Sequence, residues 1–218
     1  MRGRVVDAES CASAAGCTGV AGAVVSLHAD PDHVRSEPSG PEGAFVLRGV
    51  PTGYHQHLLV SVPGDGFAPT LNPMVVAPDD RADLFGVTIY VMPRDASSLL
   101  EALRAEGIDL VLGGGYVGQV LRVNGSIVTA ADGAHAEVHP AQRSLRYVGV
   151  LPRFVPGDPV LLPADATATG AFGMFVVEAA GPADPVAFTA SDEEIEYDLV
   201  VAPLEPGLLI YSIHRGSL

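Results

Sequence analysis

The sequence predicts an all-β protein built as two tandem antiparallel Greek-key β-sandwiches joined by a short helix. A motif that occurs twice is the first reason: a G-x-V strand is followed by a G-A dipeptide and then by a G-A-F turn. The second reason is that 25 Gly and 18 Pro separate short valine-rich runs, as in sandwiches. The third is that 218 residues suffice for two domains of roughly 100 residues each. The two copies contain Gly3-Arg4-Val5, Gly22-Ala23 and Gly43-Ala44-Phe45, and Gly118-Gln119-Val120, Gly133-Ala134 and Gly170-Ala171-Phe172.

The first sandwich is expected over residues 1–93. Alternation in the strand predicted at 20–27 places Ala23, Val25 and Leu27 on one buried face. Turn-forming residues at 37–43 leave room for no more than a short edge strand in this region. The other strands are predicted at 4–7, 45–47, 55–62 and 86–91.

A linker with one helix is expected over residues 94–113. Either Asp95 or Ser97 is predicted to cap a helix of about three turns, and Gly107 is predicted to end it. Its apolar face is formed by Leu99, Leu100 and Leu103.

The second sandwich is expected over residues 114–218, with a longer excursion between 140 and 165 than the first copy has. Long loops on rigid sandwiches often carry function, and this one is basic and aromatic in an otherwise acidic chain. We therefore predict that it contacts a protein or carbohydrate partner; the alternative is a loop folded over its own edge strand. The predicted contact residues are Arg143, Arg146, Tyr147 and Arg153.

Charge narrows the class of partner. The net charge is −14, every basic side chain other than His is Arg, and no stretch approaches the roughly 20 apolar residues that cross a bilayer. An acidic surface repels phosphate backbones and anionic lipid. The composition therefore predicts no nucleic-acid partner and no membrane insertion, and leaves the oligomeric state open.

Cys11 and Cys17 lie six residues apart in a loop of small residues, which favours a local disulfide. Such bonds persist in oxidising compartments, so we expect an extracellular, periplasmic or cell-surface location. Because the chain runs from Met1 into a strand without an apolar leader, an export signal was either trimmed or never present. Two free thiols in a cytoplasmic protein are the alternative.

The first copy resembles the carboxypeptidase regulatory-like family, which has a transthyretin-like (prealbumin-like) sandwich. The resemblance covers residues 1–93 through the repeated motif and Val50-Pro51-Thr52-Gly53, and residues 114–218 more loosely. The usual Asp before the turn glycine is Glu42 in the first copy and Thr169 in the second. The resemblance implies an accessory or adhesion-type module of secreted and surface proteins, without a catalytic site.

Residues 18–76 are also similar to intradiol ring-cleavage dioxygenases, which hold ferric iron with two Tyr and two His. His55 and His57 form an H-x-H pair on one strand face, about 6.6 Å apart, a spacing that can serve one metal ion. The needed phenolates are not evident, since Tyr54 sits immediately beside His55. A metal-dependent enzyme using iron, or zinc at the same His pair, is therefore the alternative to a module without a cofactor.

The carboxyl end is similar to a further enzyme group, the transthyretin-like hydroxyisourate hydrolases, whose chains end in Tyr-Arg-Gly-Ser. This chain ends His214-Arg215-Gly216-Ser217-Leu218, with His in place of Tyr and one residue more. The competing interpretation is a polar tail after the last strand. Taken together, the residues predict a non-enzymatic exported or surface module that recognises protein or carbohydrate.

Overall fold

A computed structural model describes residues 1–12, 16–51, 55–75, 84–124, 127–139, 144–178, 183–192 and 195–217. The chain divides into two compact units, Met1–Asp95 and Ala96–Leu218. In both units the described residues form mainly β-strands, so the predicted all-β class is confirmed.

The first unit is organised around its first strand. Its strands are β1 (Arg2–Asp7), β2 (Val24–Leu27), β3 (Ala44–Val46), β4 (His55–Ser61), β5 (Phe67–Ala68), β6 (Thr70–Val75) and β7 (Val87–Pro93). The first strand, β1, pairs antiparallel with β3 and parallel with β7, giving the order β3, β1, β7, β5. In a second set of pairings β4 lies antiparallel between β2 and β6.

The core of the first unit is aliphatic and draws on both sets of strands. As predicted from alternation, Ala23, Val25 and Leu27 are buried, and they cluster with Leu58 and Ile89. Phe45 adds the aromatic ring. Burial of these side chains, each contributing about 1.5–3 kcal/mol for a residue of Val or Leu size, holds the unit together.

The second unit is organised around its first strand. Its elements are α1 (Leu99–Ala105), β8 (Gly115–Asn124), β9 (Ile127–Ala130), β10 (His135–His139), β11 (Ser144–Tyr147), β12 (Met174–Glu178), β13 (Ala183–Ser191), β14 (Val200–Leu204) and β15 (Leu209–Ser217). The first strand, β8, pairs antiparallel with β12 and parallel with β15, while β11 pairs with the far side of β12 and β9 pairs with the end of β8. In a separate sheet β13 lies antiparallel between β10 and β14.

Strand pairing is the same in the two units. The opening strand (β1 or β8) lies between an antiparallel neighbour (β3 or β12) and a parallel one (β7 or β15). Both parallel pairs depart from the predicted antiparallel arrangement, so the sheets containing them are mixed. Sequence periodicity assigns strands but not their neighbours, which is why it could not distinguish the two directions.

A turn bound by one hydroxyl is repeated in both units. In the first, Ser39 Oγ donates to the carbonyl of Val20 at 2.7 Å and accepts from the Ala23 N–H at 2.9 Å. In the second, Thr169 Oγ1 donates to the Ala131 carbonyl at 2.6 Å and accepts from the Ala134 N–H at 3.0 Å. The hydroxyl is buried in both cases. It satisfies two backbone groups that would otherwise be buried without partners.

These contacts correct the alignment of the repeat. Since Thr169 corresponds to Ser39, the second-unit partner of Gly43 is Gly173 rather than Gly170. Both glycines have positive φ, and a Cβ atom would meet the carbonyl oxygen of Val5 at Gly43 and that of Val120 at Gly173. The G-A-F string of the second copy therefore lies three residues before the true equivalent, because matched letters do not reveal matched hydrogen bonds.

The predicted helix is present but shorter. It spans Leu99–Ala105, which is about two turns, and its N-cap is Ser98, whose Oγ accepts from the Glu101 N–H at 3.3 Å. Asp95 and Ser97, the predicted caps, precede it. The apolar face is buried as expected, and Gly107 ends the helix with φ +89°. The helix belongs to the second compact unit. Among the described residues, no helix has the length and apolarity needed to cross a bilayer.

Candidate functional site

A groove of about 540 Å³ runs along the outer edge of β3 in the first unit. This volume is within the range of small-ligand and peptide-side-chain pockets. One wall is β3 together with Arg48, two residues beyond its end, and the other is the segment at 35–38. The lining residues are Arg35, Glu37, Pro38, Ala44, Phe45, Val46 and Arg48.

The outer wall of the groove is held by backbone hydrogen bonds to β2. The Leu27 N–H donates to the Val34 carbonyl, and the Ser36 N–H donates to the Val25 carbonyl, both at 2.8 Å. Ser36 is buried, and its Oγ accepts from the Val25 N–H at 3.0 Å. The segment bearing Arg35 is therefore fixed in position before any ligand arrives.

The inner wall is an edge strand with unused backbone groups. Met1 and Leu47 exchange two hydrogen bonds of 2.9 and 3.0 Å. Because hydrogen-bonded pairs alternate with non-hydrogen-bonded pairs along an antiparallel ladder, the next hydrogen-bonded pair is Gly3 and Phe45. The N–H and C=O of Val46 consequently point away from β1. No hydrogen bond is assigned to either of them in the described part of the chain. The Val46 side chain is 48% exposed, whereas Phe45 is buried.

Two guanidinium groups flank this edge. Arg35 and Arg48 are both exposed, and within the described residues neither side chain is assigned a hydrogen bond or an ion pair. Glu37 is the acidic side chain of the lining. In a chain of net charge −14, a site with two arginines and one carboxylate is locally cationic. Each guanidinium group presents planar N–H donors that can bind a carboxylate through two parallel hydrogen bonds. The site therefore suits a ligand that carries a carboxylate.

A polar cluster in the second unit differs from the groove because its charges are paired internally. Arg122 Nη2 lies 2.8 Å from Asp192 Oδ2, and the Tyr197 hydroxyl donates to the same oxygen at 2.7 Å. Burial raises the pKa of Tyr197, which keeps this hydroxyl protonated as a donor. The cluster joins Asp192 and Tyr197 to β8, and within the described residues its arginine and its aspartate are paired with each other.

Of the residues predicted to contact a partner, Arg146 and Tyr147 lie on opposite faces of one strand. Arg143 lies outside the described residues. Arg146 is half-exposed on β11, where its Nη2 donates to the Leu162 carbonyl at 3.5 Å. Tyr147 points to the opposite face, is buried, and bonds through its hydroxyl to the backbone of Ala136. Tyr147 is thus part of the interior and not of a contact surface.

Much of the predicted loop is folded onto its own sheet. Residues 144–147 form β11, the Leu162 N–H donates to the Tyr147 carbonyl at 2.9 Å, and Val160 and Leu161 are buried. Arg153 is half-exposed in the same excursion. The alternative reading of this segment, a loop over an edge strand, describes residues 144–162 better.

The H-x-H pair lies on β4, where His55 is opposite Val75 and His57 is opposite Pro73. The side chain of His55 is outside the described residues, and that of His57 is half-buried. Among the side chains that the structure describes, no group of three or more His, Cys, Asp or Glu is placed to hold a metal ion. An iron or zinc site at His55 and His57 stays a prediction.

Cys11 and Cys17 are joined in a disulfide, with 4.1 Å between their Cα atoms. The bond closes the connection between β1 and β2. The buried Asp7 orders the start of the same connection, because its Oδ1 accepts from the N–H groups of Glu9 and Ser10. The disulfide therefore constrains a loop whose first residues are already held by the hydrogen bonds to Asp7.

The carboxyl-terminal segment is a strand and not a polar tail. His214 lies fully buried on β15, with Nδ1 donating to the Asp198 carbonyl at 2.8 Å and Nε2 accepting from the Tyr116 hydroxyl at 2.5 Å. Burial lowers the pKa of His214 and raises that of Tyr116. The Tyr116 ring stacks on Phe188, so this pair is a core element.

Sequence reasoning missed Arg35 and Arg48. The signal available was their placement on either side of the predicted turn at 37–43. A chain that reverses at a turn brings the flanking residues together. What the sequence did not show was that, among the strands the structure describes, none pairs with the outer edge of the strand after the turn.

Comparison with known proteins finds only distant similarity to solved structures. No family model matches the chain, and no curated protein matches it. The minor pilin GBS52 of Streptococcus agalactiae aligns with 99% of this chain and 94% of its own, at 10% identity and a TM-score of 0.32. The shaft pilin SpaA of Lactobacillus rhamnosus GG aligns with 99% of this chain and 96% of its own, at 9% identity and a TM-score of 0.29.

A third structure, the Bacillus anthracis TIE protein, aligns with 99% of this chain at 9% identity and a TM-score of 0.29. The alignment covers 33% of that protein, so this chain spans about a third of its length. Similarity at this level assigns no function. The carboxypeptidase regulatory-like assignment stays a prediction.

Proposed function

We propose that the protein is a non-enzymatic binding module, exported or at the cell surface, that recognises a carboxylate-bearing protein or carbohydrate. The binding site is the groove between β3 and residues 35–38. The observation that carries this proposal is the pair of exposed guanidinium groups, Arg35 and Arg48, on the walls of a preformed groove in a strongly acidic chain.

Rigid walls favour binding at this position. The outer wall is bonded to β2 and the inner wall is a strand of the mixed sheet, so little conformational entropy is lost when a ligand is held between them. A carboxylate placed between the two arginines gains charge-assisted hydrogen bonds. Because the chain as a whole is strongly acidic, an anionic ligand is disfavoured at other places on its surface, which contributes to selectivity for the groove.

The disulfide supports the compartment in this proposal. A Cys11–Cys17 bond is stable where the medium is oxidising, outside the cytoplasm. The covalent link constrains the connection between β1 and β2.

The test is calorimetric titration with two short ligands, a glutamate oligomer and a galacturonate oligomer. Replacing Arg35 and Arg48 together by Gln is expected to weaken binding of whichever ligand binds by about tenfold or more, since each charged hydrogen bond contributes roughly 1.5–3 kcal/mol. Arg215→Gln, on β15 of the second unit, also removes a positive charge at an exposed position, but Arg215 is not a lining residue of the groove, so this variant serves as the control. Equal affinities for the unaltered protein and the double variant would reject the groove as the site.

A further inference from the structure

We propose that the natural occupant of the groove is an extended acidic peptide of a partner protein, which adds to β3 as an antiparallel strand. This inference rests on the proposed function and names the partner class and the binding mode. Hydrogen bonds between the peptide backbone and β3 fix the register of the bound strand. Arg35 and Arg48 select peptides with acidic side chains.

The first support is the hydrogen-bonding capacity of the β3 edge. Val46 presents an N–H and a C=O away from β1, and neither has an assigned partner in the part of the chain that the structure describes. The neighbouring outward carbonyl, that of Ala44, already accepts from the Gly40 N–H at 2.9 Å. The open pair at Val46 therefore sets where an added strand exchanges its two bonds. Exposed edges of this kind are templates for strand addition.

The second support is the second unit, in which the equivalent edge is filled. Val176 of β12 corresponds to Val46, because Phe175 corresponds to Phe45 in the shared pairing with the opening strand. β11 lies antiparallel against this edge, with Arg146 opposite Val176. The Val148 N–H donates to the Met174 carbonyl at 3.0 Å, which fixes the hydrogen-bonded positions. The same framework thus accepts an antiparallel strand at this place when the chain supplies one.

The first unit does not supply such a strand from its described residues. The four-stranded sheet ends at β3, and the groove occupies the place that β11 takes in the second unit. A guest of four residues in extended conformation is about 13 Å long and keeps its alternate side chains on one face. The segment at 35–38 forms the wall opposite β3, so a bound strand is enclosed on both sides.

The third support is charge. The groove holds Arg35 and Arg48 against the carboxylate of Glu37, which leaves an excess of positive charge at a site where the rest of the chain is acidic. Acidic side chains on the guest strand meet the guanidinium groups, while a basic peptide meets Glu37 alone. Backbone pairing adds an interaction that a carbohydrate cannot make, because it has no row of alternating N–H and C=O groups.

The experiment measures binding of a short peptide in which Glu alternates with Val, capped at both ends, by calorimetry on the full chain. Two further versions carry backbone N-methyl groups, on the odd-numbered amides in one and on the even-numbered amides in the other. Strand addition predicts that one version loses about tenfold or more in affinity and the other does not, since only one set of amides faces β3. A side-chain-only binding mode affects both versions alike.

Val46→Pro provides the matched change on the protein. Proline removes the outward N–H, and proline is tolerated in edge strands whose N–H faces solvent, so the fold is expected to persist. Binding of the unmodified peptide is expected to fall about tenfold or more. Hydrogen exchange of β1 and β7 checks that the variant is folded. The two N-methylated peptides test backbone pairing with β3 on the unaltered protein.

Four outcomes decide the question. Loss of affinity with one N-methyl version and with Arg35→Gln/Arg48→Gln supports the inference. Peptide binding that depends on the arginines but is equal for both N-methyl versions overturns strand addition and leaves the proposed function standing. If the galacturonate oligomer binds in an arginine-dependent manner and the peptide does not bind, the proposal of a peptide ligand is overturned, and the groove remains the binding site. Absence of arginine-dependent binding for all these ligands overturns both proposals.

Discussion

The two units share a framework but differ at the edge of the strand that follows the repeated turn. In the first unit no described strand pairs with the outer edge of β3, which lies beside a cationic groove, and in the second the equivalent β12 pairs with β11. The pairing of the opening strand and the hydroxyl-bound turn are the same in both. The hydrogen-bonded turn is therefore part of the shared framework, whereas the outer edge of the strand that follows it differs between the units.

A second difference lies in the connection after the opening strand. The equivalent hydrogen bonds Val20 N–H to Val5 O and Ala131 N–H to Val120 O, both 2.9 Å, close this connection in the two units. The first unit ties it with the disulfide, and the second extends it as the β8–β9 pairing. A disulfide in the first unit and a short antiparallel strand pair in the second thus both constrain the connection that follows the opening strand.

The third difference is in the parallel strand. Ile89 is opposite Val5 in the first unit, and His214 is opposite Val120 in the second, so an aliphatic core position has become a buried imidazole. The imidazole is accommodated because Tyr116 and the Asp198 carbonyl satisfy both of its nitrogens.

The largest expected effect comes from the turn glycine that both units share. Gly43→Ala and Gly173→Ala should each lower the free energy of unfolding of their unit by at least about 3 kcal/mol, because the new Cβ atom meets a backbone carbonyl at a positive φ. Gly22→Ala and Gly133→Ala are the controls, since these glycines also have positive φ but open space around them. They should cost about 1–2 kcal/mol.

Urea denaturation with hydrogen exchange localised by mass spectrometry measures each unit separately. If Gly170→Ala proved as damaging as Gly173→Ala, the structural alignment of the two units would be wrong and the match by letters would be right. Gly170 has no positive φ, and its nearest contact for an added Cβ is 3.4 Å.

A smaller effect is expected from the disulfide. Reduction, or Cys11→Ser with Cys17→Ser, should lower the free energy of unfolding of the first unit by about 2 kcal/mol through the loop entropy regained by the unfolded chain. The second unit, which uses β8–β9 pairing at the equivalent place, should be unchanged. Equal loss in both units would show that the bond acts on something other than its own loop.

The smallest expected effect is a dependence on acid specific to the second unit. Because burial lowers the pKa of His214 below the ordinary 6.5, the unfolded chain takes up a proton first as the pH falls. The stabilisation by neutral His214 is therefore complete above about pH 6.5 and declines below it. The double variant Tyr116→Phe/His214→Leu should lose this part of the acid dependence, which hydrogen exchange at successive pH values will show.

The first unit, with Ile89 at the equivalent position, is the internal control for that titration. Its exchange rates should respond to acid equally in the variant and in the unaltered protein. An unchanged acid profile for the second unit in the double variant would mean that other groups govern its titration.

Much of the fold was predictable because strands and caps leave local signals. The alternation around Val25 predicted its burial, and the leucine spacing predicted the buried face of α1. The parallel partners of β1 and β8 were not predictable, since the direction of a neighbour depends on a crossover that periodicity does not encode. Tyr147 was assigned to a contact surface because a loop and a short strand look alike in a basic, Pro-containing segment.

By itself the sequence determined the all-β class, the repeated motif and its buried faces, the apolar face of the helix, and an acidic surface, because each depends on residues close together in the chain. The tertiary structure decided which strands are neighbours, that Thr169 and Gly173 take the places of Ser39 and Gly43, and that Arg35 and Arg48 face one groove. These depend on contacts between residues distant in sequence. Only the packing of a whole unit determines that β12 has an outer neighbour while β3 has none among the described strands.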